Sequence, residues 1–251
     1  INKQFIKING RDGRMKIKLA KYIADFLVEH DITDMFTLTG GGAMHLNDAF
    51  GHKEGLKCTY NHHEQACSIA AEGYTRLTGK LAAVCVTSGP GGTNAITGVL
   101  GGWLDSIPMF IISGQVKRET TTWATDVPLR QLGDQEYNIT ECVRTMTKYA
   151  HMNEIRYHLE KALYLCLNGR GGPVWLDIPL DVQAAVIETD DLKGFDPAEL
   201  EQDENPVYEG SLNNEIIEKI KSAKRPAILA GTGIRLAHAY DEFLQFVDKM
   251  N

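Results

Sequence analysis

Apolar residues at Leu19, Ile23, Phe26 and Leu27 recur at helical spacing between Lys18 and His30, and the pattern predicts a helix there. Asp31-Ile32-Thr33-Asp34 breaks it. Met35-Phe36-Thr37-Leu38 then reads as a short buried strand ending in Thr39-Gly40-Gly41-Gly42, with a helix from Ala43 to Phe50. Strand, glycine turn and helix make the repeating unit of an α/β fold, with the turn at the carboxyl end of a parallel strand. The unit recurs. Lys57 to Tyr60 is a strand and Glu64 to Thr78 a helix ended by Gly79-Lys80. Leu81 to Thr87 is a continuous apolar strand of the kind buried on both faces, followed by a turn over Ser88 to Asn94 and a helix from Ala95 to Trp103. Met109 to Gly114 is another buried strand.

Arg118 to Asn138 is polar, rich in Thr and Gln, and without clear period, which is the mark of a long functional loop or a surface lid. Ile139 to Lys148 and Ile155 to Leu167 read as helices, and Val174 to Ile178 as a last strand closed off by Pro179. The acidic stretch Thr189 to Gly210, with Pro197 and Pro206, reads as a linker. Beyond it, Leu212 to Ser222 is amphipathic, Ala227 to Ala230 reads as a strand before Gly231-Thr232-Gly233, and Ala239 to Met250 as a helix. The expected organisation is an N-terminal arm over 1–14, an α/β domain with a parallel sheet flanked by helices over 15–187, a linker over 188–210, and the beginning of a second α/β domain over 211–251.

Bulk composition excludes more than it identifies. Apolar residues make up 43% and charged residues 24%, ordinary values for a globular protein. The net charge of -7 argues against broad attraction to nucleic acid or anionic membrane. The five cysteines, Cys58, Cys67, Cys85, Cys142 and Cys166, form no CxxC pair, so reduced thiols in a cytoplasmic protein are expected. No apolar run reaches the length of a membrane span.

The chemistry concentrates at Glu64, where a polar strand end meets a helix of small residues. A carboxylate there can be drawn out of water, and desolvation gives a proton-trading glutamate the raised pKa it needs. Ala66, Ala70 and Gly73 fall at i, i+4 and i+7, so one helix face is nearly bare and suited to the close approach of another backbone or a flat ligand. Alternatives fare worse. Ser88 to Asn94 lacks the Lys-Ser/Thr of a P-loop, and Gly231-Thr232-Gly233 lacks the third glycine of a dinucleotide fingerprint. His62 and His63 do not meet the HExxH spacing, so no metal ligands are assigned, and neither Ser88 nor Ser113 sits in a GxSxG elbow.

An ordered set of segments carries a resemblance. Gly40 to Met44, His63-Glu64-Gln65 with Ala71 to Tyr74, Thr87 to Asn94, Asp105 to Pro108, Ser113 to Val116, and Gly171 to Val174 with Asp177-Ile178-Pro179 together resemble thiamine-diphosphate enzymes of the acetolactate synthase group. The resemblance runs from about Met15 to Val182 and implies a pyrimidine-binding domain. It implies that Glu64 is the catalytic glutamate, hydrogen-bonded to N1′ of the cofactor's aminopyrimidine so that the thiazolium C2 proton can be lost. Gly41 and Gly42 would line the reacting end of the pocket. Pro90 and Asn94 would lie near the pyrimidine and the subunit contact. Gln115 would line the pocket, and Gln135 would belong to the substrate-side loop. Three positions depart from the pattern: Asp134 replaces an aromatic residue, Gly40 replaces a proline, and the loop around Arg130 to Gly133 is longer.

For the whole protein the resemblance implies decarboxylation of a 2-oxo acid such as pyruvate and transfer of the two-carbon unit to an acceptor, in a homodimer or homotetramer. The cofactor would be thiamine diphosphate with Mg2+, the metal held by a further domain whose Gly-Asp-Gly … Asn signature matches nothing here. FAD is possible for such an enzyme but is not indicated by these motifs. This portion by itself is expected to be inactive. The competing expectations are another decarboxylase, carboligase or lyase of the superfamily, and a cofactor-binding module without catalysis.

Overall fold

The computed structural model describes residues 16–151, 155–190, 192–200 and 210–250. These divide into two compact units between Phe195 and Asp196. The expected arm over 1–14 and residues 201–209 of the expected linker lie outside the described residues.

In the first unit the chain runs β1 (Lys16–Lys18), α1 (Leu19–Glu29), β2 (Asp34–Thr37), a 3-10 turn (Gly41–Ala43), α2 (Met44–Gly51), β3 (Lys57–Tyr60), α3 (Glu64–Thr78), β4 (Ala83–Val86), α4 (Pro90–Leu104) and β5 (Met109–Gln115). It continues through two 3-10 turns (Arg118–Thr120, Thr122–Ala124) to α5 (Ile139–Val143), β6 (Tyr149–His151), α6 (Ile155–Leu167), β7 (Pro173–Pro179), α7 (Leu180–Ala184) and β8 (Val186–Glu188). Six strands form one parallel sheet in the order β3-β2-β4-β5-β7-β6. The expected parallel α/β sheet flanked by helices is therefore the observed fold. Among the described residues no helix is long and apolar enough to cross a membrane.

The two-residue period of a strand sorts the core into two layers. Ala83, Cys85, Phe110, Ile112, Val174 and Leu176 face α1, α2 and α6. Val84, Val86, Met109, Ile111 and Trp175 face α3, α4 and α5. The central strands β4, β5 and β7 are buried at every position, which is why they read as continuous apolar runs. At the margin, β1 pairs antiparallel with β8, and Leu19 N–H donates to Ala185 O at 2.8 Å.

Several elements differ from the pattern-based reading. Helix α4 begins at Pro90 rather than Ala95. Pro90 occupies a first-turn position where its missing N–H costs nothing. Gly91 and Gly92 are not a flexible turn: a Cβ at Gly91 would stand 2.7 Å from Thr87 Cγ2, and one at Gly92 3.1 Å from Ile139 Cγ1. The expected helix to Lys148 stops at Val143, and Tyr149–His151 is a strand instead. Three residues are too few to reveal a period, so only pairing with β7 defines that strand. Helix α7 and the β1–β8 pair escaped notice for the same reason.

The second unit holds a 3-10 turn (Pro197–Glu199), α8 (Gly210–Ser222), α9 (Gly233–Leu236) and α10 (Tyr240–Lys249). The strand expected over Ala227 to Ala230 is not formed, and Leu229 is fully exposed. A strand exists only through its ladder, and no described residue of that unit pairs with this segment.

Candidate active site

The sheet order reverses between β2 and β4: the chain leaves β2 toward β3 on one side and returns to add β4, then β5, on the other. Ligands of open α/β sheets bind at the carboxyl ends of the strands beside such a reversal. Two loops meet there. Gly42 N–H, after β2, donates to Thr87 Oγ1, after β4, at 3.1 Å. A Cβ at Gly40 would overlap the Thr87 side chain at 2.4 Å, so Thr87 explains why Gly40 stands where a larger residue was expected. A Cβ on Gly41 would meet nothing within 4 Å, and that residue faces outward. On the far side, a Cβ at Gly114 of β5 would lie 2.2 Å from Gly42 O, so the close approach requires glycine there.

Glu64 is the first residue of α3, which follows β3. His63 caps the helix, its Nδ1 accepting the Gln65 N–H at 3.1 Å. A carboxylate in the first turn also sits favourably at the positive end of the helix dipole. Asn94 Nδ2 of α4 donates to Glu64 Oε2 at 3.0 Å. Oε1 accepts no hydrogen bond from the described residues and would lie 3.6 Å from a Cβ on Gly91. Glu64 is half-buried and Asn94 exposed. The expected withdrawal of the carboxylate from water is thus incomplete within one chain, with Ala66 and Asn94 exposed around it.

The bare face expected on α3 for another backbone or a flat ligand is left open within this chain. Ala66 and Gly73 are exposed, and a Cβ on Gly73 would touch nothing. The close helix approach is made by α4: a Cβ on Gly98 would lie 2.4 Å from Ser68 Oγ and 2.6 Å from Ile69 N. The permissive small residue is on α4, and it meets Ser68 rather than the alanine face.

Gln135 is brought to the turn before α4. Its backbone has φ of 54°, and its carbonyl oxygen would lie 2.2 Å from a Cβ on Gly89, itself at φ of 54°. Only glycine tolerates both that dihedral and that contact. Gln135 and Asp134 are exposed, as is Pro90, which follows Gly89 in sequence. Glu136 ties the loop together, accepting from Thr122 N at 2.6 Å, Thr122 Oγ1 at 2.9 Å and Leu132 N at 3.0 Å. Three hydrogen bonds to the charged form hold its carboxyl below the ordinary range in spite of partial burial.

Gln115, unlike this exposed group, is buried. It is 1% exposed, and all its amide atoms are engaged within the fold. Nε2 donates to Asp177 Oδ2 at 3.0 Å and Tyr137 O at 2.8 Å, and Oε1 accepts from Val116 N at 3.0 Å. Asp177 also accepts from Ser113 Oγ at 2.5 Å, and Ser113 Oγ accepts from Trp175 Nε1 at 2.8 Å. Burial pushes the Asp177 carboxyl up to about 7, against the lowering effect of Ser113 and Gln115. A groove of about 540 Å³ runs along the same loop, lined by Arg118, Glu119, Thr121, Trp123, Asn138 and Thr140. It contains none of the residues singled out from the sequence.

Three contributors were given no role of their own in the sequence: Thr87, Asp177 and Gln183. Thr87 and Asp177 stood within segments that carry the resemblance, and Asp177 had a further signal, since a carboxylate inside an apolar strand buried on both faces must be networked. Gln183 stood outside those segments.

Comparison with known proteins follows the same outline. Residues 17–140 match the family described as thiamine pyrophosphate enzyme, N-terminal TPP binding domain. The acetolactate synthase large subunit of Lactococcus lactis subsp. lactis (strain IL1403) is 32% identical over 249 residues, covering 93% of this chain and 41% of the relative. The chloroplastic acetolactate synthase of Arabidopsis thaliana is 31% identical over 238 residues, covering 90% of this chain and 33% of the relative. The Rhodococcus jostii RHA1 thiamine diphosphate-dependent 4-hydroxybenzoylformate decarboxylase shares the fold, with a TM-score of 0.72 at 18% identity over 93% of this chain and 43% of that one. This chain therefore spans about two fifths of the length of the bacterial relative. Over residues 17–140 it belongs to the thiamine pyrophosphate enzymes, as an N-terminal TPP-binding domain of that family.

Proposed function

We propose that this chain is the pyrimidine-binding portion of an acetolactate synthase-like enzyme, with Glu64 as its catalytic carboxylate. The observation that carries the reading is the Asn94–Glu64 pair at the point where the sheet order reverses. The residues present fit an aminopyrimidine. Asn94 occupies one carboxylate oxygen, while Oε1 beside the Cβ-less Gly91 is available to a ring nitrogen. The outward-facing Gly41 leaves backbone open to a flat ligand.

Thiamine diphosphate, when bound, supplies the carbanion-stabilising chemistry. The chain's own part is to hold a proton at Glu64 Oε1, with Asn94 fixing the orientation of the carboxylate. Gly41, Gly42 and Pro90 would line the cofactor's surroundings, and Gln135 would face the substrate. Gln115 would act indirectly, by seating the loop that ends at Tyr137. Mg2+ and the diphosphate would be held by parts of the protein other than those described.

The substrate class proposed is a pyruvate-like 2-oxo acid, whose two-carbon unit passes to an acceptor, in a cytoplasmic homodimer or homotetramer. The outer faces of α3 and α4 support a second subunit: Ile69, Leu77, Leu100 and Leu104 are 47%, 77%, 40% and 65% exposed. A second copy laid there would also complete the burial of Glu64. Asp134, exposed next to Gln135, favours keeping a simple decarboxylase, carboligase or lyase as the second reading.

The experiment is Glu64→Gln in the full-length protein. C2 proton exchange of bound thiamine diphosphate should be abolished; exchange at the wild-type rate would refute the role. A panel of 2-oxo acids and acceptors given to the wild type separates the two readings.

A further inference from the structure

Gln183 lies in α7, outside every motif considered so far, and is 0% exposed. Its Nε2 donates to Gly42 O at 2.7 Å and to Ile178 O at 2.7 Å. Both amide hydrogens are thereby used on two carbonyls, one at the end of β7 and one 141 positions away in the glycine turn. Its Oε1 is buried with no partner, alone in this among the buried side-chain nitrogen and oxygen atoms of the described residues. Rotating the amide would set oxygen against two carbonyl oxygens, so the orientation follows from its neighbours.

A buried acceptor without a donor is costly, and an apolar side chain would spare that cost only by taking the donor from the Gly42 and Ile178 carbonyls. The amide is therefore kept here for its two donors. What the amide does supply is a fixed position for the Gly42 carbonyl. With the Gly42 N–H on Thr87 Oγ1, the residue is held from both of its backbone polar groups. The Cβ-less Gly114 lets the turn settle close to β5.

We propose that Gln183 is a positioning residue: it locks the Gly42–Ala43 peptide so that the turn is preorganised for the cofactor before the cofactor arrives. The inference rests on the reading that this turn lines the thiamine-diphosphate pocket. Gln183 makes no contact with the ligand. It acts through Gly42, and its loss appears as a turn that must be ordered on binding.

The test uses the full-length protein carrying Gln183→Met, which is close in shape but has no donor, and Gln183→Asn, whose shorter amide cannot span both carbonyls. Hydrogen exchange without cofactor should rise roughly tenfold over Gly42 to Met44, the effect of one lost hydrogen bond, while exchange in the core strand Ile111 to Ser113 holds. The Kd for thiamine diphosphate with Mg2+ should rise by a similar factor, with little change in KM for the 2-oxo acid. Unchanged exchange over Gly42 to Met44 in both variants overturns the inference, as does faster exchange with unchanged cofactor affinity. If the Met variant fails to fold, the Asn variant decides. Failure of the wild type to bind thiamine diphosphate sinks the cofactor reading itself and leaves the exchange measurement to judge the turn.

Discussion

Asn94 Nδ2 stands 3.0 Å from Glu64 Oε2, joining the second turn of α4 to the first residue of α3 across 30 positions of sequence. The contact sets one oxygen of the carboxylate and leaves the other turned toward Gly91. Two helices that follow different strands thus build a single polar group at the sheet's reversal point.

Asn94→Ala should leave the fold intact, since Asn94 is exposed, but free the carboxylate to rotate. A hydrogen bond to a charged group is worth about 1.5–3 kcal/mol. The full-length variant should lose roughly tenfold or more in kcat, with far-UV circular dichroism unchanged. Wild-type kcat in the variant would mean that Asn94 does not orient Glu64.

Gly98→Ala tests the packing of α3 on α4. The new methyl would stand 2.4 Å from Ser68 Oγ and 2.7 Å from the Ser68 carbonyl carbon, so the helices must part. Overpacking of this kind costs about 1–3 kcal/mol. Denaturant unfolding should show that loss, and Gly73→Ala, where a Cβ meets nothing, should not.

Asp177 imposes a pH dependence on stability. Its carboxyl is raised from 3.8 to about 7 in the folded chain, so between those values the folded state holds a proton that the unfolded state has released. Its contribution is fully present near pH 4 and is lost as pH climbs toward 7. Moving a carboxyl over that range corresponds to about 4 kcal/mol as an upper limit. The stability of the wild type relative to Asp177→Asn should fall between pH 4.5 and 7.5; a relative stability that rises with pH would contradict the assignment.

Gly89→Ala should dislodge the substrate-side loop. The substitution places a methyl 2.2 Å from Gln135 O and strains a backbone at φ of 54°. Limited proteolysis should then cut within Arg118 to Asn138 faster than in the wild type, while the β4–β5 core stays protected. Equal cleavage rates would show that Gly89 does not seat this loop.

Much of the first unit was legible because burial writes itself into the chain. Strands covered on both faces must be apolar throughout, so β4, β5 and β7 could be read directly, and helix α3 was delimited at both ends by Glu64 and Gly79. Glu64 stood out through the ordered segments around it, since a carboxylate at a helix start is by itself usually there to complement the helix dipole. The glycines were visible but misread: Gly91 and Gly92 looked like turn formers, whereas they lie inside a helix where Thr87 and Ile139 crowd the space a side chain would need. Whether a glycine is there for its dihedral or for the space it vacates depends on atoms distant in sequence.

The chain by itself determined the alternation of buried strands and amphipathic helices, the parallel α/β class, and the place of Glu64, because these follow from local periodicity and from the short-range chemistry of turns and caps. Tertiary structure alone decided that Asn94 meets Glu64, that Gly42 is held between Thr87 and Gln183, that Gln115 is spent on Asp177 and Tyr137, and that Ala227 to Ala230 forms no strand. Each of those depends on a partner brought in from elsewhere along the chain. A hydrogen bond or a missing methyl acts over a few ångströms of space, and sequence spacing does not record which distant residues will share it.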